Sequence, residues 1–284
     1  MDLTIAGVLT VDGLTNGAVY ALLGMGIVLL FSVTRIIFIP QGEFVTYAAL
    51  SMAAIQAGGV PSAIWLLLGL AVITLLVEGW RHWRGAHVDW RSTVVWAIVL
   101  PAVAAVLALA VKPTAAWAQT LLALLLIVPM GPLLYRLVFR PLAHASVLML
   151  LIVSVALHWV MVGLGLYFFG AEGARTTSMW DARWDVGGLP VSGQSLVVIG
   201  AAVVLLAAMY VFFERSIIGK ALRATAINRV GARLMGIPTD LSGDICFALA
   251  ALIGAVCGLL IAPITTIYYD TGFLIGLKGF VAAI

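Results

Sequence analysis

The chain has 284 residues, 64% of them hydrophobic before its 29 glycines are counted, and only 10% charged. Soluble domains hold roughly 45–50% apolar residues with glycine included and roughly 25% charged ones, so a water-soluble protein is excluded, as are a disordered chain and a disulfide scaffold. The net charge of +3 is spread over many loops rather than gathered into a nucleic-acid-binding patch, and the composition is that of an all-α, polytopic helical membrane protein.

A hydrocarbon core of roughly 30 Å takes about 20 apolar residues per helix. Apolar stretches run over 13–34, 43–58, 61–78, 92–111, 115–135, 145–169, 194–213 and 244–262, and a ninth opens near 273 and is still apolar at Ile284. They predict about eight transmembrane segments plus the start of a ninth, in a single domain over 1–284. Met1-Asp2-Leu3-Thr4 lacks the basic n-region of a cleavable signal peptide.

In the first span Asn16 and Tyr20 lie four apart on one helix face, as candidates to line a translocation path or as glue between helices. The 43–58 stretch is short and glycine-flanked, so it reads as tilted, broken or re-entrant. Glu43 opens it, after Pro40-Gln41-Gly42. A helix N-terminus favours a negative charge, and an ionisable group near membrane depth is a candidate for the path or its gate; the plainer reading is a helix-start carboxylate at the interface. His158 sits mid-span, four residues after Ser154, and reads as a hydrogen-bonding group between helices or as a functional one. Gly13-x-x-x-Gly17 and Gly254-x-x-x-Gly258 predict close helix packing. Cys246 and Cys257 share a helix face roughly 16 Å apart, too far for a disulfide. His82, His87 and Asp89 have no regular metal-ligand spacing, and no metal site or cofactor is expected. Lys278, between Gly276 and Gly279, either lines a pore or snorkels to the surface.

If the spans alternate, eleven of the fifteen basic residues fall on one side: Arg35, Arg81, Arg84, Arg91, Arg136, Arg140, Arg215, Lys220, Arg223, Arg229 and Arg233. The other side holds Lys112, Arg175, Arg183 and Lys278. The richer side is expected to be cytoplasmic, which puts the N-terminus and the acidic, Trp-bearing 170–193 loop outside. Basic residues at the inner face also suit contact with membrane lipid.

The longest polar stretch runs from Glu214 to Asp244. Ala221–Ala226 and Ala232–Met235 favour helix, and Gly236 with Pro238 supplies a stop, so a short helix–turn–helix at the cytoplasmic surface is expected. Here the sequence resembles a family. Gly219-Lys220-Ala221-Leu222-Arg223-Ala224 followed by Ala232-Arg233-Leu234-Met235-Gly236-Ile237 is similar to the cytoplasmic coupling loop of branched-chain amino acid ABC transporter permeases of the LivH type. Four further places resemble the same family in order: Asn16 to Gly24, Gln41-Gly42-Glu43-Phe44, Tyr135-Arg136 through Arg140-Pro141-Leu142, and Gly276-Leu277-Lys278-Gly279-Phe280-Val281-Ala282-Ala283. Phe38 and Gln41 depart from the family's Asn and His before Gly-Glu-Phe, and Val230-Gly231-Ala232 from its Glu-Ala-Ala. Residues 60–112 read as an inserted helix pair, and because family members continue past Phe-x-Ala-Ala, the chain reads as truncated at Ile284.

The resemblance implies a permease subunit without catalytic residues or cofactor, in a bacterial-type inner membrane. Its partners would be a second, related permease subunit, two cytoplasmic ATP-binding subunits and an external solute-binding protein. Gly219-Lys220-Ala221 is not a phosphate-binding loop, since it lacks the first glycine and the hydroxyl residue of that motif; ATP hydrolysis is therefore expected on partner subunits. The 214–243 loop would couple them to the membrane helices through Gly219, Arg223, Ala232, Arg233 and Gly236. Asn16, Tyr20, Gln41, Glu43 and Lys278 are the candidates for the path or gate. The implied substrates are branched-chain amino acids or similar small polar solutes. The rival readings are a stand-alone secondary transporter or channel, with Glu43 as its thin support, and an intramembrane enzyme using Ser154 and His158.

Overall fold

The computed structural model of the protein describes residues 3–85, 88–143, 145–186 and 189–283. Helix α1, Leu3–Thr34, starts ten residues before its most apolar stretch. It stops where Arg35 takes a left-handed φ of 62°, with its N–H on the Phe31 carbonyl at 2.8 Å. Such a C-terminal turn lets the chain reverse without continuing the helix. Ile36 to Pro40 follow without helical structure, and α2, Gln41–Gln56, then runs back.

Helix α2 has 16 residues, roughly 24 Å at 1.5 Å per residue, and all but three of them are buried. Its polar residues Gln41, Glu43, Thr46 and Ser51 are buried with the rest, so no face of it is turned to water. The non-helical Ile36–Pro40 lead-in is mostly buried, and irregular backbone at membrane depth is tolerated only where protein covers it.

Helix α3 covers Ala63–Trp83. The next helix is continuous but changes pitch: α4, Trp90–Val94, passes through a π turn at Val95–Val99 into α5, Leu100–Ala110. Pro101 cannot donate to the preceding turn, which accounts for the widened stretch before it. A second broken helix comprises α6, Ala116–Ile127, α7, Met130–Leu134, a π turn over Tyr135–Phe139 and a 3₁₀ turn over Arg140–Leu142; Pro129, Pro132 and Pro141 punctuate it. Helix α8, Val147–Phe169, is capped by Ser146, whose Oγ accepts from the Met149 N–H at 3.3 Å.

The 170–193 loop holds a small antiparallel hairpin that the sequence reading does not contain, β1 Arg183–Val186 and β2 Leu189–Ser192, with Arg183 opposite Ser192 and Trp184 opposite Val191. Then come α9, Gly193–Arg215, the short α10, Ile217–Ile227, and α11, Arg229–Leu234, and finally α12, Thr239–Ile261, and α13, Thr271–Ala283.

Among the described residues seven helical stretches are long and apolar enough to cross a membrane: Ile5–Thr34, Ala63–Trp83, Trp90–Ala110, Ala116–Leu142, Val147–Phe169, Gly193–Arg215 and Thr239–Ile261. Helices α2 and α13 fall short of that length. The fold is thus an all-α, multi-pass membrane protein.

The centre of the bundle is α2 against α12. Gly254 and Gly258 of α12 press on α2: a Cβ on Gly258 would lie 2.1 Å from the Val45 carbonyl oxygen, and one on Gly254 would lie 2.9 Å from the Phe44 Cβ. The other small-residue pair behaves differently. Gly13 and Gly17 face open space, so the close packing expected of them does not occur within this chain. Beside the α2–α12 contact, Phe38, Phe44, Phe139 and Phe247 form a fully buried aromatic cluster, with Phe38 and Phe247 edge to face at 5.0 Å. Cys246 and Cys257 are free and buried, as their spacing requires.

Alternation of the spans is consistent with which loops meet. At one end Gln56 accepts from the Thr177 N–H at 2.9 Å, and Ala174 bridges to Ile267. At the other end Glu78, Ser92, Arg136, Arg140, Asp240 and Asp244 come together.

Candidate functional sites

Two places concentrate the polar side chains singled out by the sequence. The first is the start of α2. Pro40 ends the irregular segment, and its missing N–H suits a helix entrance. Ile39 just before it donates its N–H to Ser154 Oγ of α8 at 2.8 Å. Gly42 then lies flat against α13: a Cβ there would sit 1.9 Å from the Gly272 carbonyl oxygen and 3.2 Å from the Gly276 Cα. The first turns of α2 and α13 therefore cross in contact, and two positive helix ends converge.

Glu43 sits at this crossing and is fully buried. Its Oε1 lies 3.0 Å from Nδ1 of His158 on α8, whose side chain is 5% exposed. The approach has the distance of an ion pair without the alignment of a hydrogen bond. Among the described residues, neither carboxylate oxygen has an aligned hydrogen-bond donor. Three other buried groups on α2, Gln41 Oε1, Thr46 Oγ1 and Ser51 Oγ, likewise lack one. The ring of His158 lies against Phe273 of α13, tilted by 31°, with centroids 4.6 Å apart. Gln41 is anchored through Nε2, which donates to the Ala250 carbonyl of α12 at 2.8 Å. Tyr47, one turn beyond Glu43, donates its hydroxyl to the Met161 carbonyl of α8.

The partnership of Glu43 and His158 is what sequence reasoning missed. It singled out each alone, and residues 115 positions apart give no local signal of contact. The Ser154–His158 pair of the enzyme reading is not assembled: Ser154 accepts from backbone while His158 turns to Glu43.

The remaining path candidates fall on α1 and α13. Lys278 Nζ donates to the Tyr20 hydroxyl at 3.4 Å and lies 5.5 Å from the centre of its ring. Asn16 donates Nδ2 to the Asp12 carbonyl within its own helix, at 3.0 Å. Tyr20 and Lys278 are thus brought together, whereas Asn16 and the Gln41–Glu43 start of α2 belong to other contacts.

The second place is the α10–α11 pair, which forms the helix–turn–helix expected over the polar segment. Each helix starts on a side-chain cap. Ser216 Oγ accepts from the Gly219 N–H at 2.8 Å, and Asn228 Oδ1 from the Gly231 N–H at 2.9 Å. Such caps satisfy backbone donors that short helices otherwise leave free. Gly236 closes α11 with φ 82°.

Within the pair the expected residues divide into two kinds. Gly219 and Ala232 face inward and are buried; a Cβ on Gly219 would meet the Phe212 carbonyl oxygen at 2.3 Å. Arg223 and Arg233 are exposed but already partnered, Arg223 with Glu214 at 2.7 Å and Arg233 with the Thr239 hydroxyl at 2.9 Å. The outward face is more apolar than the arginines suggest. Ile217, Ile227, Val230, Leu234 and Met235 are 86%, 85%, 72%, 82% and 83% exposed.

Next to this pair lies a buried charge lattice. Arg136 donates Nε to Asp244 at 3.0 Å and Nη1 to the Thr93 hydroxyl at 2.8 Å, and Ser92 also bonds both Arg136 and Asp244. Arg140 bridges Glu78 at 2.9 Å and Asp240 at 3.1 Å, and Arg81 adds a contact to Glu78 at 3.2 Å. The lattice stitches α3 and α4, from the segment read as an insertion, to the start of α12. The sequence reading placed these arginines at the inner face, with lipid headgroups as a further contact, and did not expect their burial. The Tyr135-Arg136 to Arg140-Pro141 resemblance was the available signal.

Among the described residues no three His, Cys, Asp or Glu side chains are grouped to hold a metal ion. His87, of the weak His82–His87–Asp89 pattern, lies outside the described residues.

Comparison with known proteins agrees with this architecture. Residues 88–284 match the family described as branched-chain amino acid transport system / permease component. The chain is also 23% identical to the high-affinity branched-chain amino acid transport system permease protein LivH of Escherichia coli K12, over 96% of this chain and 76% of that protein. LivH of Salmonella typhimurium gives the same identity and coverage. No solved structure matches the chain. The matched family covers more than half of the chain, including Arg136, Arg140, Asp240 and Asp244 of the charge lattice, the α10–α11 pair and α12: this protein belongs to the branched-chain amino acid transport permease family.

Proposed function

We propose that the protein is the membrane-spanning subunit of an ABC importer for branched-chain amino acids or similar small polar solutes. It performs no covalent chemistry. It moves substrate inward by alternating access, driven by two separate cytoplasmic ATP-binding subunits, fed by an external solute-binding protein and paired with a second, related permease. The N-terminus lies outside and the 214–243 loop is cytoplasmic, in keeping with the eleven-to-four division of basic residues.

The observation that carries this reading is the apolar outward face of α10 and α11. Ile217, Ile227, Val230, Leu234 and Met235 lie beyond the end of α9 in a polar segment, where water rather than lipid would meet them. Clustered exposed aliphatics of this kind mark a protein interaction surface. In this reading Arg223 and Arg233 flank the apolar face, and Gly219, Ala232 and Gly236 shape it from behind. Glu43, Gln41, Tyr20, Lys278 and Asn16 stand by the path or its gate.

The test is co-purification with the ATP-binding subunits, followed by ATP-driven uptake of labelled leucine into proteoliposomes supplied with the binding protein. The double variant Arg223→Glu/Arg233→Glu is expected to insert normally but to lose uptake. Unchanged uptake in that variant, or a purified permease that never brings down an ATPase, overturns the proposal.

A further inference from the structure

The loop face opposite α10 and α11 contains a second built feature. A cavity of about 500 Å³ opens between the outer part of α1, the 170–193 loop and the turn after α12, with Asp12, Arg175, Trp180, Asp181, Arg183 and Ile264 among the residues around it. Its volume lies in the range of small-molecule sites.

The frame of this cavity is fixed by hydrogen bonds. Arg175 donates Nε to the Pro263 carbonyl at 2.9 Å and Nη2 to the Ile264 carbonyl at 3.0 Å. Gln194, buried to 4% exposure, accepts from the Met179 N–H and donates to the Leu260 carbonyl, both at 3.0 Å. The Gly193 N–H closes the hairpin base on the Ala182 carbonyl at 2.7 Å. The loop is therefore tied to α12 and held in shape before any solute arrives.

The charges around the cavity have an unusual relation. Two carboxylates, Asp12 and Asp181, and two guanidiniums, Arg175 and Arg183, line one space, yet none of the four makes an ion pair among the described residues. Glu214 with Arg223 and Glu78 with Arg140 show the alternative, an acid and a base closed on each other as an ion pair. Unpaired charges of both signs around one hollow are complementary to a ligand that carries both signs at its two ends. The indole of Trp180 and the side chain of Ile264 supply apolar wall between them.

We propose that this cavity is a reception site for a free zwitterionic α-amino acid, its carboxylate toward Arg175 and Arg183 and its ammonium toward Asp12 and Asp181. The inference rests on the importer reading, which makes this face the outer one, and it adds a substrate contact on the permease itself. Charge complementarity at such a mouth raises local solute concentration and fixes orientation.

The experiment uses the full chain in nanodiscs, with labelled L-leucine as the probe and two competitors, the amine that lacks its carboxylate and the acid that lacks its ammonium. Saturable leucine binding is expected, with both competitors weaker by roughly tenfold or more, as for loss of one charged hydrogen-bond partner. Asp181→Asn and Arg183→Gln, both at exposed positions outside the packed core, should weaken binding to a similar degree. Binding that ignores either charge, is unchanged in both variants, or is absent overturns the inference. So does a result in which the variants lose only capture of the solute-binding protein, since the face would then be a protein-docking surface. ATP-driven leucine uptake by the assembled complex is measured alongside. Uptake without charge-dependent binding sinks this inference and leaves the importer reading standing, whereas absence of uptake counts against the importer reading.

Discussion

The protein buries charge in two regions, and it does so in opposite ways. At the end near α10 and α11, Arg136 and Asp244 sit in a lattice in which the guanidinium is shared among Asp244, Thr93 and Ser92. At the crossing of α2 and α13, Glu43 meets the His158 ring nitrogen, and among the described residues neither of its oxygens has an aligned donor. Removing a charge from water is costly, and only complete hydrogen bonding in good geometry offsets that cost. The lattice meets this condition and reads as structure. The Glu43 crossing meets it only in part. On the proposed importer reading, such a carboxylate stands at the path or its gate.

This comparison can be broken at its strongest point first. Arg136→Ala strands Asp244 among buried residues and should lower stability by about 3–5 kcal/mol, the usual cost of orphaning one member of a buried pair. Thermal unfolding of the detergent-purified protein measures it, and a loss within the range of surface variants would mean that the lattice is not what holds α3 and α4 to α12. Next comes the packing that creates the Glu43 crossing. Gly42→Ala places a methyl group against the Gly272 backbone, which cannot swing aside as a side chain would. A destabilisation of about 1–3 kcal/mol is expected from overpacking, with crosslinking between α2 and α13 positions reporting the displaced helix.

The sharper discrimination lies in a smaller change. Glu43→Gln keeps the volume and removes the charge, so stability should move by about 1 kcal/mol or less, while leucine uptake by the reconstituted complex falls severely. Equal damage to stability and uptake would place Glu43 with the lattice, as a structural charge. The smallest stability effect is expected at the surface: breaking the half-exposed Glu214–Arg223 pair by Arg223→Ala should cost about 0–1 kcal/mol. Salt-dependent ATPase association would reveal its contribution to docking, if any survives the loss of the pair.

Much of the fold was legible because a membrane imposes length and polarity directly on local sequence. The α10–α11 pair was legible for a similar reason: the helix-favouring runs Ala221–Ala226 and Ala232–Met235 and the stop at Gly236 act within a few residues. The limits of α1 and α12 were harder. Leu3 to Asp12 and Thr239 to Asp244 are helical, but Asp12, Asp240 and Asp244 interrupt the apolar run and hide the continuation. The pairing of Tyr20 with Lys278 and of Glu43 with His158 gave no sign in the sequence, because each joins helices far apart along the chain. Gly13 and Gly254 show the same limit: both head a small-residue pair, and only Gly254 has a neighbour to meet.

By itself, then, the sequence determined the class of protein, the number of apolar segments and the division of basic loops, since lipid sorts side chains by polarity alone. It also marked Glu214 to Asp244 as the longest polar segment. Tertiary structure decided which glycines bring helices into contact, which arginines are buried rather than at the surface, and that Glu43 lies where two helix starts cross. These outcomes depend on which helix faces which, and every apolar helix in a membrane offers much the same surface until backbone contacts at Gly42, Gly258 and Gly272 select its neighbour.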